Sequence, residues 1–410
     1  MRATEIRALG EVAAEGATVL NNVVRGLHTG IASRVFSSIG PAARPVEVVH
    51  DLIAQTVYTA VGTAGQRIPD LVGALAATGV GFDADAPVDE SPAAAEMIAA
   101  LNGIYGDELA DRGNALATEM AVRVARRRVE PTPGGLAAAF PDATGRLAVF
   151  VHGLCQTESS WQRPPRPDVD APDPRSYGDR LRDDLGFTPV DVRYNTGRHI
   201  STNGHDLDEL LADLVSAWPV PVSDIALVGH SMGGLVVRSA CHYGRERAHR
   251  WTGLVRQVIC LGSPHLGADL EKGVNAASWA LSRVRETQAI ADFLNLRSDG
   301  IKDLRFGACL DDDWHDADPD ELLRDRCGEV PFLPNASYHF VATSAAPQAV
   351  GRVLGDHLVK PSSASGQGRH RRLPFESDNG LVLTGLHHFD LLNHPEIYDR
   401  LVRWLGVTAT

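Results

Sequence analysis

Two hydrophobic rhythms run along this chain. In its first third, Val46, Val49, Leu52, Ile53, Val57 and Val61 recur three and four positions apart, the spacing of one buried helical stripe. A second, Ala-rich helical zone is expected from about Pro92 to Arg128, with Met97, Ile98, Leu101, Ile104, Tyr105, Leu109 and Leu116 on its inner face. The acidic, Pro-containing stretch 81–92 connects the two. The plain role for such helices is a bundle packed on the next domain; the alternative is a surface that touches lipid or a polymer granule.

Beyond Pro131-Thr132-Pro133-Gly134-Gly135 and Pro141-Asp142 the rhythm changes to short apolar runs separated by helices. Strands are predicted at Leu147–Val151, Pro189–Tyr194, Ile225–Val228, Gln257–Leu261, Tyr338–Ala342 and Leu381–Leu383. A helix from Asp206 to about Trp218 carries Leu207, Leu210, Leu211, Leu214 and Val215 on one face. Near-continuous apolar strands alternating with helices imply an α/β fold whose mostly parallel central sheet is covered on both sides. The expected organisation is an N-terminal helical region at 1–143 and an α/β domain at 144–410. Residues 275–334 interrupt the alternation as a helical cap or lid that includes Trp279, Phe293 and Trp314.

Composition narrows the partners. With 44% hydrophobic and 22% charged residues in a chain of 410, a substantial core is expected, and the net charge of -13 argues against nucleic acid. Met1 to Leu20 carries Glu5, Arg7, Glu11 and Glu15, so it lacks a signal peptide's apolar run, and no stretch reaches membrane-span length. A cytoplasmic protein is the expectation. Cys241 and Cys260 read as inert core thiols, while Cys309 and Cys327 flank one acidic loop and are candidates to pair in an oxidising compartment. The run Asp311-Asp312-Asp313-Trp314-His315-Asp316 reads as a solvated loop, with hard-cation binding as the alternative.

The chemistry concentrates at Gly229-His230-Ser231-Met232-Gly233, where an apolar strand runs into a helix. A serine hydroxyl is a poor nucleophile unless it is lifted clear of the fold and given a base, and a sharp strand-to-helix turn with flanking glycines does the lifting. Ser231 is therefore the candidate nucleophile. In this arrangement the acid and the base follow the serine in the chain. Asp356, in the loop after the strand at 338–342, is the candidate acid, and His387 or His388, in the turn into the last helix, is the base. Asp390 competes with Asp356 but lies too near His388 in sequence to reach its far ring nitrogen easily. The amides of Leu154, after the glycine turn Val151-His152-Gly153, and of Met232 are the candidate oxyanion donors.

Four segments in order carry a resemblance: Phe150-Val151-His152-Gly153-Leu154, Gly229-His230-Ser231-Met232-Gly233-Gly234, Leu261-Gly262-Ser263-Pro264-His265-Leu266-Gly267 and His388-Phe389-Asp390-Leu391-Leu392. Over roughly residues 145–410 the chain resembles the α/β-hydrolase superfamily, and within it the bacterial lipase/esterase branch with its PGAP1-like relatives. The resemblance favours His388 over His387, because in that branch the catalytic histidine precedes a stretch ending in Leu-Leu. It places the acid in a loop that Asp356, Val359, Ser363 and Ala364 match loosely, with Lys360 where a small or apolar residue is usual. It implies a serine carboxylic ester hydrolase that acts on small acyl or lipid-like esters and needs no cofactor and no metal. Acyl transfer and thioester hydrolysis use the same machinery, and a non-catalytic binding scaffold is the reading from another class.

Overall fold

The computed structural model describes residues 87–268, 297–316, 325–344, 358–368 and 371–406, with isolated positions 4, 5, 8 and 12. Among the fully described elements, helix α1 (Pro92–Asp111) is followed by the hairpin β1 (Ala121–Val124) and β2 (Arg127–Val129). After helix α2 (Pro133–Ala139) come β3 (Arg146–Val151), α3 (Tyr177–Leu185), β4 (Thr188–Arg193), α4 (Ile200–Ala217) and β5 (Asp224–His230). Then follow α5 (Met232–Glu246), β6 (Val255–Leu261), the short α6 (Asp299–Asp303), β7 (Ser337–Ser344), the short α7 (Pro361–Ala364), β8 (Gly380–Thr384) and α8 (Pro395–Leu405).

The strands form one eight-stranded sheet in the order β2-β1-β4-β3-β5-β6-β7-β8. Strands from β4 to β8 pair in parallel, and β1 and β2 add an antiparallel edge. Although β3 is apolar at five successive positions, its side chains still alternate. Leu147, Val149 and Val151 join the core under α4 and α5, whereas Ala148 and Phe150 join the core under α3 and α8. The pairs Ile225/Leu227 and Ala226/Val228 of β5 divide in the same way. A continuous apolar strand is what burial on both faces requires. The chain winds from β3 to β4 on one side, then crosses to β5 on the other, so the carboxyl ends of β3 and β5 flank the point where the strand order reverses. In open α/β sheets that crevice is where ligands bind.

The helix expected over 92–128 ends at Asp111, and residues 121–129 belong to the sheet instead. The sheet therefore begins upstream of residue 144. The hairpin turns at Ala125 and Arg126, both at positive φ (48° and 69°). That is a conformation ordinarily marked by Gly or Asn, which this turn lacks. Arg126-Arg127-Arg128 is thus a hairpin, not a helix end. The stripe at 46–61 lies outside the described residues, as do Trp279, Phe293 and Asp356. Among the described residues no helix is long and apolar enough to cross a membrane.

Helix α1 lies against the loops that follow β3 and β4. Its Glu96 carboxylate accepts the Thr157 hydroxyl at 2.8 Å, and its Gly106 carbonyl accepts Asn195 Nδ2 at 2.7 Å. A Cβ on Gly103 would lie 2.2 Å from Cys155 Sγ, and one on Gly106 would lie 2.0 Å from Asn195 Oδ1. The two glycines, three apart on one helical face, are what lets the helix approach so closely. Ser298 and Asp299 of the segment expected to form a cap hold the same helix, through Ser298 Oγ to the Gly103 carbonyl (2.6 Å) and the Asp299 amide to Asp107 (2.9 Å).

A candidate active site at the carboxyl edge of the sheet

Ser231 sits between β5 and α5 with φ 53° and ψ -123°. A side chain at positive φ costs of order 1–3 kcal/mol and is kept where the surroundings over-determine it. Here the restraint is visible: the Ser231 amide donates to the Leu261 carbonyl at the end of β6 (2.8 Å). Glycine is required beside it by close approach. A Cβ on Gly233 would stand 2.1 Å from the Val151 carbonyl, and one on Gly229 would stand 2.5 Å from Gly234 Cα. Backbone cannot yield as a side-chain tip can, so Gly233→Ala is expected to destabilise the fold by several kcal/mol, a large effect for a point substitution. Denaturant midpoints of the variant and the parent protein check this.

The loop after β3 closes onto the elbow. A Cβ on Gly153 would fall 3.0 Å from Ser231 Cβ, so the loop packs directly against Ser231. His152 is fully buried, stacks on Tyr194 with ring centroids 4.6 Å apart, and has Nδ1 3.0 Å from the Gly153 carbonyl. Burial pushes its imidazole down to about 4. The ring is therefore neutral and donates from Nδ1, since a carbonyl only accepts. Tyr194 in turn donates its hydroxyl to the His152 carbonyl at 2.8 Å. His152 therefore braces the loop. Among the described residues the amides of Leu154 and Met232 have no hydrogen-bond acceptor. Met232 opens α5, where first-turn amides lack intrahelical partners and favour negative charge.

On the far side, the turn after β8 separates the two candidate bases by exposure: His387 is exposed and His388 is buried. The His388 ring lies 4.8 Å from that of His230. It also rests against Gly262, where a Cβ would come within 3.1 Å of His388 Cε1. Gly262 follows Leu261, whose carbonyl holds the Ser231 amide, so Ser231 and His388 both adjoin the Leu261–Gly262 segment. Asp390, the competing acid, is otherwise engaged: its carboxylate accepts the His387 amide at 2.8 Å and pairs with Arg166 at 3.2 Å. Asp356 lies outside the described residues, and no geometry places it.

A cleft of about 450 Å³ opens beside these loops, lined among others by Leu154, Gln156, Arg163, Phe389 and Glu96 of α1. Leu154 and Phe389 are chain neighbours of Gly153 and His388, so the cleft lies beside the loop that meets Ser231, although Ser231 does not line it. That α1 supplies a wall was not foreseen from the sequence; the Gly103/Gly106 pair was the available signal.

The acidic loop serves structure. Asp313 accepts the amides of Cys309 and Leu310 (2.8 and 2.9 Å), and Asp311 pairs with His205 at 2.8 Å. Trp314 stacks on His199 with ring centroids 3.8 Å apart. Among the described residues no cluster of His, Cys, Asp or Glu is arranged to hold a metal ion. Cys309 and Cys327 are free thiols, whose sulfurs rest near the carbonyls of Gly307 (3.5 Å) and Phe306 (3.7 Å).

A parallel sheet covered on both faces, with a strained serine between strand and helix at its reversal point, defines the α/β-hydrolase fold. The PGAP1-like alpha/beta domain is the family whose model matches, over residues 194–317, a span that includes the elbow and bears out the resemblance read from the motifs. Among solved structures, the mature lipase BlEst2 of Bacillus licheniformis is 20% identical, aligned over 63% of this chain and 91% of its own, with a TM-score of 0.41. Lipase 1 of Pelosinus fermentans is 14% identical over 65% of this chain and 100% of its own (TM-score 0.35). An esterase of Pyrobaculum calidifontis is 13% identical over 64% and 75% (TM-score 0.37). No curated protein matches the chain.

Proposed function

We propose that this protein is a serine hydrolase that cleaves carboxylic esters of small acyl or lipid-like substrates through an acyl-enzyme. The observation that carries the reading is the strained Ser231 elbow facing a loop whose Leu154 amide, like that of Met232, has no acceptor among the described residues. In this mechanism Ser231 Oγ attacks the acyl carbon while His388 takes its proton. The amides of Leu154 and Met232 receive the charge that develops on the carbonyl oxygen. His388 returns the proton to the leaving alcohol, and water attacks the acyl-enzyme by the same route in reverse. Asp356 is assigned as the acid that stabilises the imidazolium, on the strength of its place in the chain order and of the loop that it matches loosely.

The cleft beside the oxyanion loop supports a compact group on one side of the ester. Its walls carry Glu96, Gln156 and Arg163 next to the half-exposed ring of Phe389, over which the Arg163 guanidinium sits at 5.3 Å. Acyl transfer and thioester hydrolysis would use the same atoms, and they separate by the acceptor offered. The deciding experiment combines labelling by a fluorophosphonate probe with hydrolysis of p-nitrophenyl esters from acetate to palmitate. Labelling at Ser231 with turnover that peaks at one chain length is the expected result. A protein that neither labels nor hydrolyses any member would sink the enzymatic reading in favour of a binding scaffold.

A further inference from the structure

His230 precedes Ser231 in the chain, and its ring lies between two backbone segments that an acyl transfer needs fixed. Its Nδ1 is 3.2 Å from Gln156 Oε1, and its Nε2 is 3.2 Å from the carbonyl oxygen of His388. Gln156 grips the oxyanion loop twice. Its side-chain oxygen accepts the Gly153 amide at 2.9 Å, and its own amide donates to the Gly153 carbonyl at 3.3 Å. A trans peptide points its N–H opposite to its C=O. Holding the Gly153 carbonyl, as the Gln156 backbone amide and His152 Nδ1 do, fixes where the Leu154 N–H points, and the Gln156 side chain anchors the other side of the same residue through the Gly153 N–H. A continuous set of contacts thus runs from the oxyanion loop through Gln156 and His230 to the segment that carries His388.

The protonation of His230 follows from its surroundings. It is fully buried, and burial, with repulsion from His388 next in size, holds its imidazole neutral, well below the ordinary histidine value. A neutral ring has one N–H, yet both neighbouring oxygens accept. The Nδ1–H tautomer ties the ring to Gln156, and the Nε2–H tautomer ties it to the His388 carbonyl. Gln156 keeps its hold on Gly153 in either case, so the side chain of Gln156 is the constant member and His230 the adjustable one.

We propose that Gln156 and His230 are positioning residues of the hydrolytic reaction: Gln156 aims the Leu154 amide at the oxyanion, and His230 joins that loop to the segment bearing the base. The inference rests on the esterase reading of this site. Losing one oxyanion donor outright costs roughly 100- to 1,000-fold in kcat, so misaiming one should cost somewhat less.

Gln156→Met keeps the length of the side chain and removes its acceptor. Its kcat on the best p-nitrophenyl ester is expected to fall roughly 10- to 100-fold with KM within about twofold. Phenylboronic acid, which forms a tetrahedral adduct on a serine oxygen, should lose affinity by the same factor. His230→Phe should show a similar loss, and the double variant should be no worse than the poorer single one, because both act through one set of contacts. An unchanged kcat, a loss carried by KM, or single losses that multiply in the double variant would each overturn the assignment. Should Gln156→Met fail to fold, Gln156→Glu retains the acceptor for Gly153 and adds a charge near the oxyanion. Its kcat should then fall relative to the parent as the new carboxyl ionises, and a pH profile parallel to the parent's would count against the proposal. A parent protein without any Ser231-dependent ester turnover overturns the esterase reading itself, whereas normal parent turnover beside an unaffected Gln156→Met overturns only this inference.

Discussion

Under the proposed mechanism, Ser231→Ala is expected to abolish ester hydrolysis, lowering kcat by about 10⁴-fold or more, because Ser231 Oγ is the atom that forms the acyl-enzyme. The same substitution should leave KM for a poorly reacting ester within a few-fold, since the oxyanion amides and the cleft remain. Stability adds a second, independent reading of the site. Alanine keeps a Cβ at φ 53°, so the strain persists, whereas Ser231→Gly relieves it. Ser231→Gly should therefore be inactive yet more stable than Ser231→Ala by about 1–3 kcal/mol, with the melting temperature displaced accordingly. Two inactive variants with equal melting temperatures would show that the elbow stores no strain.

Acid sensitivity is the other large effect. Burial depresses His152 and His339 to about 4 and holds His230 and His265 well below the ordinary value. A histidine whose folded pKa lies below its unfolded value of about 6.5 leaves the unfolded chain binding the extra proton. Its contribution to stability is complete above pH ~6.5 and is lost as pH falls toward the folded value. Four such groups act together, each worth about 1.4 kcal/mol per unit of difference, so stability should drop steeply between pH ~6.5 and ~4. His199 works in the opposite sense. Burial alone would lower it, but the Asp303 hydrogen bond and the charges of Asp303 and Asp299 outweigh burial and raise it. It therefore stabilises the fold below pH ~6.5 and ceases to as pH rises through its folded value. Urea unfolding across pH 4–8 measures the sum. His339 lies near the amino end of β7, bonds Gln257 at 2.6 Å and stacks on Trp404, so its replacement probes stability without touching Ser231. His339→Gln should flatten the slope in that window by about one proton, and an unaltered slope would show that His339 does not titrate with unfolding.

Much of this molecule could be read along the chain because its chemistry is local in sequence. An apolar strand, a glycine, a serine, a glycine and a helix placed Ser231 at an elbow, and the structure puts it there with the backbone strain that such a turn demands. The six strands expected between residues 147 and 383 all lie in the sheet; the central runs are buried on both faces and leave a continuous apolar signature, while the edge run 381–383 is short and partly exposed. The hairpin at 121–129 escaped because its turn uses Ala125 and Arg126 at positive φ, where composition gives no warning. The base was ambiguous between His387 and His388 on residue type alone, and burial separates them.

What the sequence determined by itself was therefore the parallel-sheet class, the elbow and the glycine turn after β3, all set by steric rules acting over a few residues. Tertiary structure alone decided which segments meet across the carboxyl edge. It brought α1 from the N-terminal region onto the loops after β3 and β4. It committed Asp390 to Arg166 and the His387 amide, and it set His230 between Gln156 and the His388 carbonyl, 74 and 158 positions away. Such contacts depend on how the sheet reverses its winding between β3 and β5, and pairwise distances across that reversal leave no periodicity in the chain to read.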